Sequence, residues 1–368
     1  MAYLGRKGAS APLTSADIPD NVIQQADIQD DAVGTDELAN DVVINTSGAI
    51  TTTGINTSAS LVLTPGTTPG SPAEGAMYYD NADNVVKVYN GTGWDQLSNK
   101  LTATGGTITT SGGYRIHTFT SSGTFSAEGS GIMEYLVVAG GGGGISGGGG
   151  AGGYLAATGV TVANITHTIT VGAGGTGNAA NSGGNSSIGS IAIAIGGGGG
   201  SQTGNNGGGT WMNGGSGGGA PRDGTGKTNV GPGSGTSGQG FAGGNAGGST
   251  CASAGGGGGA AEVGFNGKTD CSASRTGQAA EGGDGLSSSI NGTATFRGGG
   301  GGGCYETNVG ADMPVPGGNG GGGSGWDTHM AGSDGSTAGG INTGGGGGGY
   351  NGGGKNGGSG IVIIRYII

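Results

Sequence analysis

Cysteine, proline, basic side chains and long apolar runs are all scarce in this chain, and each scarcity removes a class of protein. Three cysteines, Cys251, Cys271 and Cys304, form no CxxC pair and are too few for a disulfide-built scaffold. One disulfide or three thiols remain open. Nine prolines and no sustained Gly-X-Y period exclude collagen. Twelve Lys and Arg stand against 23 Asp and Glu, for a net charge of −11. No basic footprint for nucleic acid exists, so none is expected as a partner, and the charge disfavours anionic membranes. The apolar tail "IVIIRYII" (361–368) is too short to span a bilayer and contains Arg365. The start "MAYLGRKGAS" lacks the apolar core of a signal peptide. The expectation is a soluble protein made in a cytoplasm.

What the chain has in abundance is glycine. Of its 103 glycines, 86 lie in the last 229 positions. Uninterrupted runs occupy 140–144, 147–150, 196–200, 255–259, 298–303, 320–323 and 344–349. Gly-rich chains without a period are usually flexible, yet strand-like segments bracket these runs at both ends. Glycine in water favours an extended helix of three residues per turn without internal hydrogen bonds. Its N–H and C=O groups point sideways and need partners. Without a Cβ, such helices can lie close and bond backbone to backbone. The runs therefore predict a lattice whose interior is main chain.

The acidity sits elsewhere, since residues 1–140 carry fourteen acidic and five basic side chains. Within 1–44, "ADIPD" (16–20) recurs as "ADIQD" (26–30) and, degraded, as "DELAN" (36–40). Ile18, Ile23, Ile28, Val33 and Leu38 recur every fifth residue, a period that fits neither helix nor strand. One apolar residue in five builds a core only if several copies wind together. Residues 1–44 are thus read as an extended attachment and oligomerisation segment. Residues 45–100 read as a linker followed by a small β module. Strands at 76–80 and 84–89 flank "NADN", and Tyr78, Tyr79, Tyr89 and Trp94 form an aromatic core.

Residues 101–368 read as a glycine-rich β-sandwich. Alternation marks strands at 114–126, 133–139, 166–171, 190–195 and 360–368. "IVIIRYII" would aggregate if unpaired. Its natural partner is the equally apolar "MEYLVVA" (133–139), so the chain leaves a sheet at 139 and returns to it at 360. The fold class is all-β: an elongated fibre with an extended N-terminal segment, a small β module and a C-terminal sandwich carrying a polyglycine helix lattice.

Motifs for catalysis fail on context. "GISGG" (144–148) and "GGSGG" (214–218) match GxSxG without a strand–helix setting or evident His and Asp partners. The two GKT triplets have Pro221 and Glu262 where a P-loop needs glycine. "DNADN" lacks the distal glutamate of a calcium loop. His117, His167 and His329 are scattered, and no metal or cofactor is implied. The sequence gives no grounds for an enzyme. The stretches between runs hold most of the large side chains. Trp211 with Arg222 and Lys227, Phe241, Phe265, Tyr305, and Trp326 with His329 are candidate recognition residues. Alternatively, these rings cap the lattice ends and shield them from water.

These residues carry a resemblance. "APLTSADIPDNVIQQADIQDDAVGTDEL" (11–38) resembles N-terminal repeats of bacteriophage tail-fibre proteins. "EGAMYYDNADNVVKVYNGTGWDQL" (74–97) is similar to a β module of marine phage structural proteins. "HTFTSSGTF…EYLVVAGGGGG…GGSGIVIIRY" resembles the glycine-rich domain of phage fibres and adhesins. The resemblance implies a homotrimer attached to other tail proteins through its N-terminus and located in the virion. It implies a distal domain whose loops meet a bacterial surface glycan or outer-membrane protein. A purely structural fibre or head decoration protein is the alternative, and a capsule depolymerase a weaker third.

Overall fold

The computed structural model describes residues 65–368, apart from 83–84, 98–100, 180, 202–209, 223–229, 249–252, 269–279, 306–313, 327–333 and 351. The five-residue repeat with Ile18, Ile23, Ile28, Val33 and Leu38 lies outside the described residues, as do Cys251 and Cys271. The fold is all-β. Helical geometry among the described residues is confined to 3-10 turns at Gly177–Ala179 and Thr210–Met212.

The small module is a four-stranded sheet of β1 (Pro65–Gly66), β2 (Met77–Asp80), β3 (Val85–Tyr89) and β4 (Trp94–Gln96), in that order. Only the β1–β2 pairing is parallel. Trp94 sits edge-on to Tyr78 at 4.6 Å and tilted against Tyr89 at 5.3 Å. Tyr79 alternates to the opposite face of β2, paired with Val86, and does not join this cluster. Asn90 Oδ1 accepts the N–H groups of Thr92 and Gly93 and closes the turn into β4.

Ten further strands make a sandwich. One sheet has the order β10 (Tyr154–Val162), β9 (Gly131–Val138), β18 (Ile361–Ile367), β7 (Tyr114–Phe119), β6 (Thr107–Ser111). The other is β13 (Ala192–Ala194), β12 (Ser186–Ile188), β11 (Ile165–Thr170), β8 (Gly123–Glu128), β5 (Thr102–Thr104). The expected strand 114–126 is two strands, β7 and β8, one in each sheet. Phe119, Met133, Val137, Val362, Ile364 and Tyr366 of the first sheet pack on Phe125, Ile169, Ile188 and Ala194 of the second. On the first sheet's other face, Ile116, Leu136, Val138, Ile361 and Ile363 bury against Ala260 and Ile290. Strands covered on both faces have no solvent side to mark with polar residues. That is why β9 and β18 read as nearly unbroken apolar runs.

β18 pairs antiparallel with β9, as expected. The excursion between them is interrupted, however. Residues 154–194 return to the sandwich and supply β10 and three strands of the second sheet. In β13 the small residues turn inward: Ala192 and Ala194 are buried and Ile193 is about half exposed.

The glycine runs form the predicted lattice, centred on residues 147–153. Its N–H groups point three ways in turn. Gly148 and Ala151 donate to Gly255 and Gly258, Gly149 and Gly152 to Gly347 and Gly344, and Gly150 and Gly153 to Gly198 and Ile195. Its carbonyls accept from three other runs, through Gly219 and Ser216, through Gly301, and through Gly142 and Ala139. All these bonds measure 2.8–3.1 Å. The three-residue repeat is that of a polyproline-II-type helix, and six bonded neighbours make the packing hexagonal. A Cβ on Gly257 would stand 2.0 Å from Gly149 O, and one on Gly346 would stand 1.9 Å from it. The run 320–323 differs, because Gly320 and Gly321 have φ of +100° and +92° and make a turn.

Candidate recognition end of the glycine lattice

Ordering the lattice costs about 1–2 kcal/mol of backbone entropy per residue. Each hydrogen bond returns about 1 kcal/mol net, so the anchoring at its ends decides its stability. At one end the runs meet the sandwich. Gly153 donates to Ile195, Tyr154 to Gln239, Ala260 to Gly298, and Gly344 to Ser359. The Gln239 amide oxygen also accepts the Ile195 N–H at 2.8 Å.

The opposite end is a second layer. Ser146 donates to Ser201 at 3.1 Å, Cys304 to Ser146 at 2.8 Å, Ala254 to Cys304 at 2.9 Å, and Gly255 to Ala220 at 3.0 Å. Trp326 donates to Gly349 at 3.0 Å, and Tyr350 to Ile145. Ser201, Tyr305 and Trp326 are the last described residues before 202–209, 306–313 and 327–333, and Ala254 and Ala220 stand within three positions of 249–252 and 223–229. This layer thus joins the backbone of residues 145–146, 201, 220, 254, 304, 326 and 350 at one end of the runs.

The structure sorts the candidate residues. Tyr305 is 1 % exposed and packs with Ala280 and Val315. The expectation of an exposed ring there is corrected: Tyr305 is buried against Ala280 and Val315. Trp326 lies on β17 (Gly325–Trp326), paired with Pro314 of β16 (Pro314–Val315). It is half-buried, and its ring fills the space where Gly335 lacks a side chain. Its indole N–H has no acceptor among the described residues. Arg222 and Phe265 are half-buried, and Phe241 is 45 % exposed. Trp211 has its backbone in the turn Thr210–Met212. The Trp211 side chain, Lys227 and His329 lie outside the described residues. Sequence reading misses Tyr350, half-buried in this layer, whose only signal is its place at the end of a six-glycine run.

Other polar groups are occupied structurally. Buried His117 meets Gly105 O at 2.8 Å through Nδ1 and stands edge-on to Phe125 at 5.1 Å. Burial, aided by Arg115, lowers its pKa against the opposing pull of the Gly105 bond. Ser146 and Ser216 of the GxSxG matches are buried in the lattice, and Ser216 donates to Gly259 O at 3.1 Å. Asp80 of "DNADN" accepts from Tyr78 at 2.7 Å, Lys87 at 2.8 Å and the Ala82 N–H at 2.9 Å. Among the described residues no group of His, Cys, Asp and Glu is arranged to hold a metal ion.

These features define a class: a backbone lattice carried on a β-sandwich. The chain belongs to the family described as glycine-rich domain, whose model matches residues 118–367, from β7 to the last residue of β18. No curated protein and no solved structure matches the chain.

Proposed function

We propose that this protein is a bacteriophage tail fibre of adhesin type. It acts by binding and not by catalysis. In this reading it is a homotrimer in the virion tail, joined to other tail proteins through residues 1–44, and its glycine-rich domain meets a bacterial surface glycan or outer-membrane protein. One observation carries the proposal: sequence stretches rich in large and charged side chains interrupt the glycine runs, and the layer of Ser201, Cys304 and Trp326 stands at the end of a lattice built of backbone. Binding proteins are commonly built in this way, with a fixed frame and loops at its end. Trp326 and Trp211 are the anchors to change first, with Arg222, Lys227 and His329 beside them.

The burial of Tyr305 favours a second reading, in which the rings only cap the lattice and the protein is a structural fibre or head decoration. Labelled, assembled full-length protein incubated with the source phage's host separates the two. The adhesin reading expects binding that competes with phage adsorption and weakens at least tenfold in Trp326→Ala or Trp211→Ala. A well-folded oligomer that does not bind would leave the structural reading. A stable monomer in light scattering would refute the trimer.

A further inference from the structure

We propose that a groove at the sandwich end of the lattice binds a single neutral sugar ring. The groove lies where β9 and β10 stop matching one to one. Ala157 pairs with Tyr135 and Val160 with Met133, so Thr158 and Gly159 together oppose Glu134. Gly159 has φ +72°, a conformation that glycine adopts without strain. The bulge opens the sheet beside Glu134. The turn that follows β14 (Leu286–Ser288), toward β15 (Thr295–Arg297), forms the facing wall with Ser289 and Ile290. The cavity is about 270 Å³. At ~30 Å³ per water it has room for about nine waters, the size of one six-membered ring and below that of a drug-sized ligand.

Its charge is already balanced. Arg365 stands opposite Glu134 across β18 and β9. Its Nε and one terminal nitrogen reach the same carboxylate oxygen, Oε2, at 2.9 and 2.7 Å. The other terminal nitrogen faces the carbonyls of Ser289 and Ile290 at 3.4 Å, and the guanidinium lies 4.3 Å above the Tyr114 ring. With four of its five N–H donors directed at protein acceptors and its charge matched, Arg365 offers an anion little, and the paired carboxylate offers a cation little. Glu134 Oε1, however, receives no hydrogen bond among the described residues. It remains a charged acceptor, the strongest kind for hydroxyl donors. Thr158 and Ser289, both exposed, line the same groove, and their hydroxyls can donate or accept. A carboxylate oxygen in a groove that also carries two hydroxyls suits the adjacent hydroxyl groups of a neutral hexose. This site is on the sandwich, away from the layer of Trp326 and Tyr350, and it stands or falls independently of the adhesin reading.

The test is saturation-transfer NMR on full-length protein with glucose, galactose, mannose, glucuronate and glucosamine. At least one neutral hexose should receive transfer and exceed both charged sugars. Ala156→Trp fills the groove from an exposed position and spares the ion pair; it should reduce transfer at least tenfold with Tm unchanged. Ser289→Trp, from the opposite wall, gives the same reading if Ala156→Trp lowers Tm. Glu134→Gln should weaken binding in parallel. No transfer from any neutral hexose, stronger transfer to a charged sugar, or transfer that survives both tryptophans overturns the proposal.

Discussion

Val138 and Ile361 face each other across the β9–β18 pair, although the entire glycine region lies between them in the chain. The strand that opens the lattice and the strand that closes it are hydrogen-bonded neighbours. Residues 139–360 are thus one excursion from this strand pair, of which 154–194 return to supply β10 to β13 of the sandwich.

Breaking that pairing should loosen the lattice. Ile363 is fully buried in the second cluster, and Ile363→Asp would place a carboxylate there. Burying an unpaired charge costs several kcal/mol. Limited proteolysis should then cut within 195–359 at least as readily as within the sandwich strands. Cleavage confined to the sandwich strands would mean that the lattice stands unaided.

Mid-run glycines should tolerate nothing larger. Gly257→Val and Gly346→Val drive a side chain into Gly149 O, and overpacking of this kind costs about 3 kcal/mol or prevents folding. Gly231 is exposed, a Cβ there would meet nothing within 4 Å, and its φ is not positive. Gly231→Ala should be neutral or gain a few tenths of a kcal/mol through a stiffer unfolded chain. Thermal melts of the variants compare the two classes directly.

Acid should destabilise the sandwich through His117. Its pKa is lowered by burial, so above about 6.5 the ring is neutral in both states and contributes no pH dependence. As pH falls below that value, the unfolded chain takes up a proton that the folded one refuses. Stability then declines until the folded pKa is reached. Denaturant midpoints at pH 7.5 and 5.5 should differ in wild type and converge in His117→Phe. An unchanged difference would place the acid sensitivity elsewhere.

Amide exchange should be slowest at the lattice centre. Gly148, Gly149 and Gly150 donate to three different runs, so freeing any one amide disturbs several neighbours at once. Their amides should exchange only with global unfolding. Exchange of Gly149 as fast as that of exposed Gly231 would contradict the hexagonal packing.

How much of this is legible in the sequence depends on side chains. Alternation exposes β7 and β11, and the nearly unbroken apolarity of β9 and β18 exposes both and predicts their pairing. β10 escapes it, because Gly159 breaks the alternation at the bulge and the strand's outer residues are small. Glu134 and Arg365 each stand as a lone charge in an apolar strand, a signal that only the register turns into an ion pair. Within the lattice nothing can be read of which run touches which. A glycine run carries no side chain to encode its neighbour, so the contacts are set by the strands and turns at its ends. Tyr305 misleads for a related reason: polar neighbours in sequence do not reveal that the ring is buried.

The six-neighbour run at 147–153 also bears on how the protein responds to temperature. A hydrocarbon core gives unfolding a large positive heat capacity change, because apolar surface is newly hydrated, whereas exposing polar surface contributes with the opposite sign. Opening this lattice would hydrate peptide groups and few hydrocarbons. Its heat capacity increment per residue therefore falls below the usual ~12–15 cal/mol/K, and its stability curve is correspondingly flat. A scaffold made of main chain should therefore change less in stability with temperature than a hydrocarbon core does.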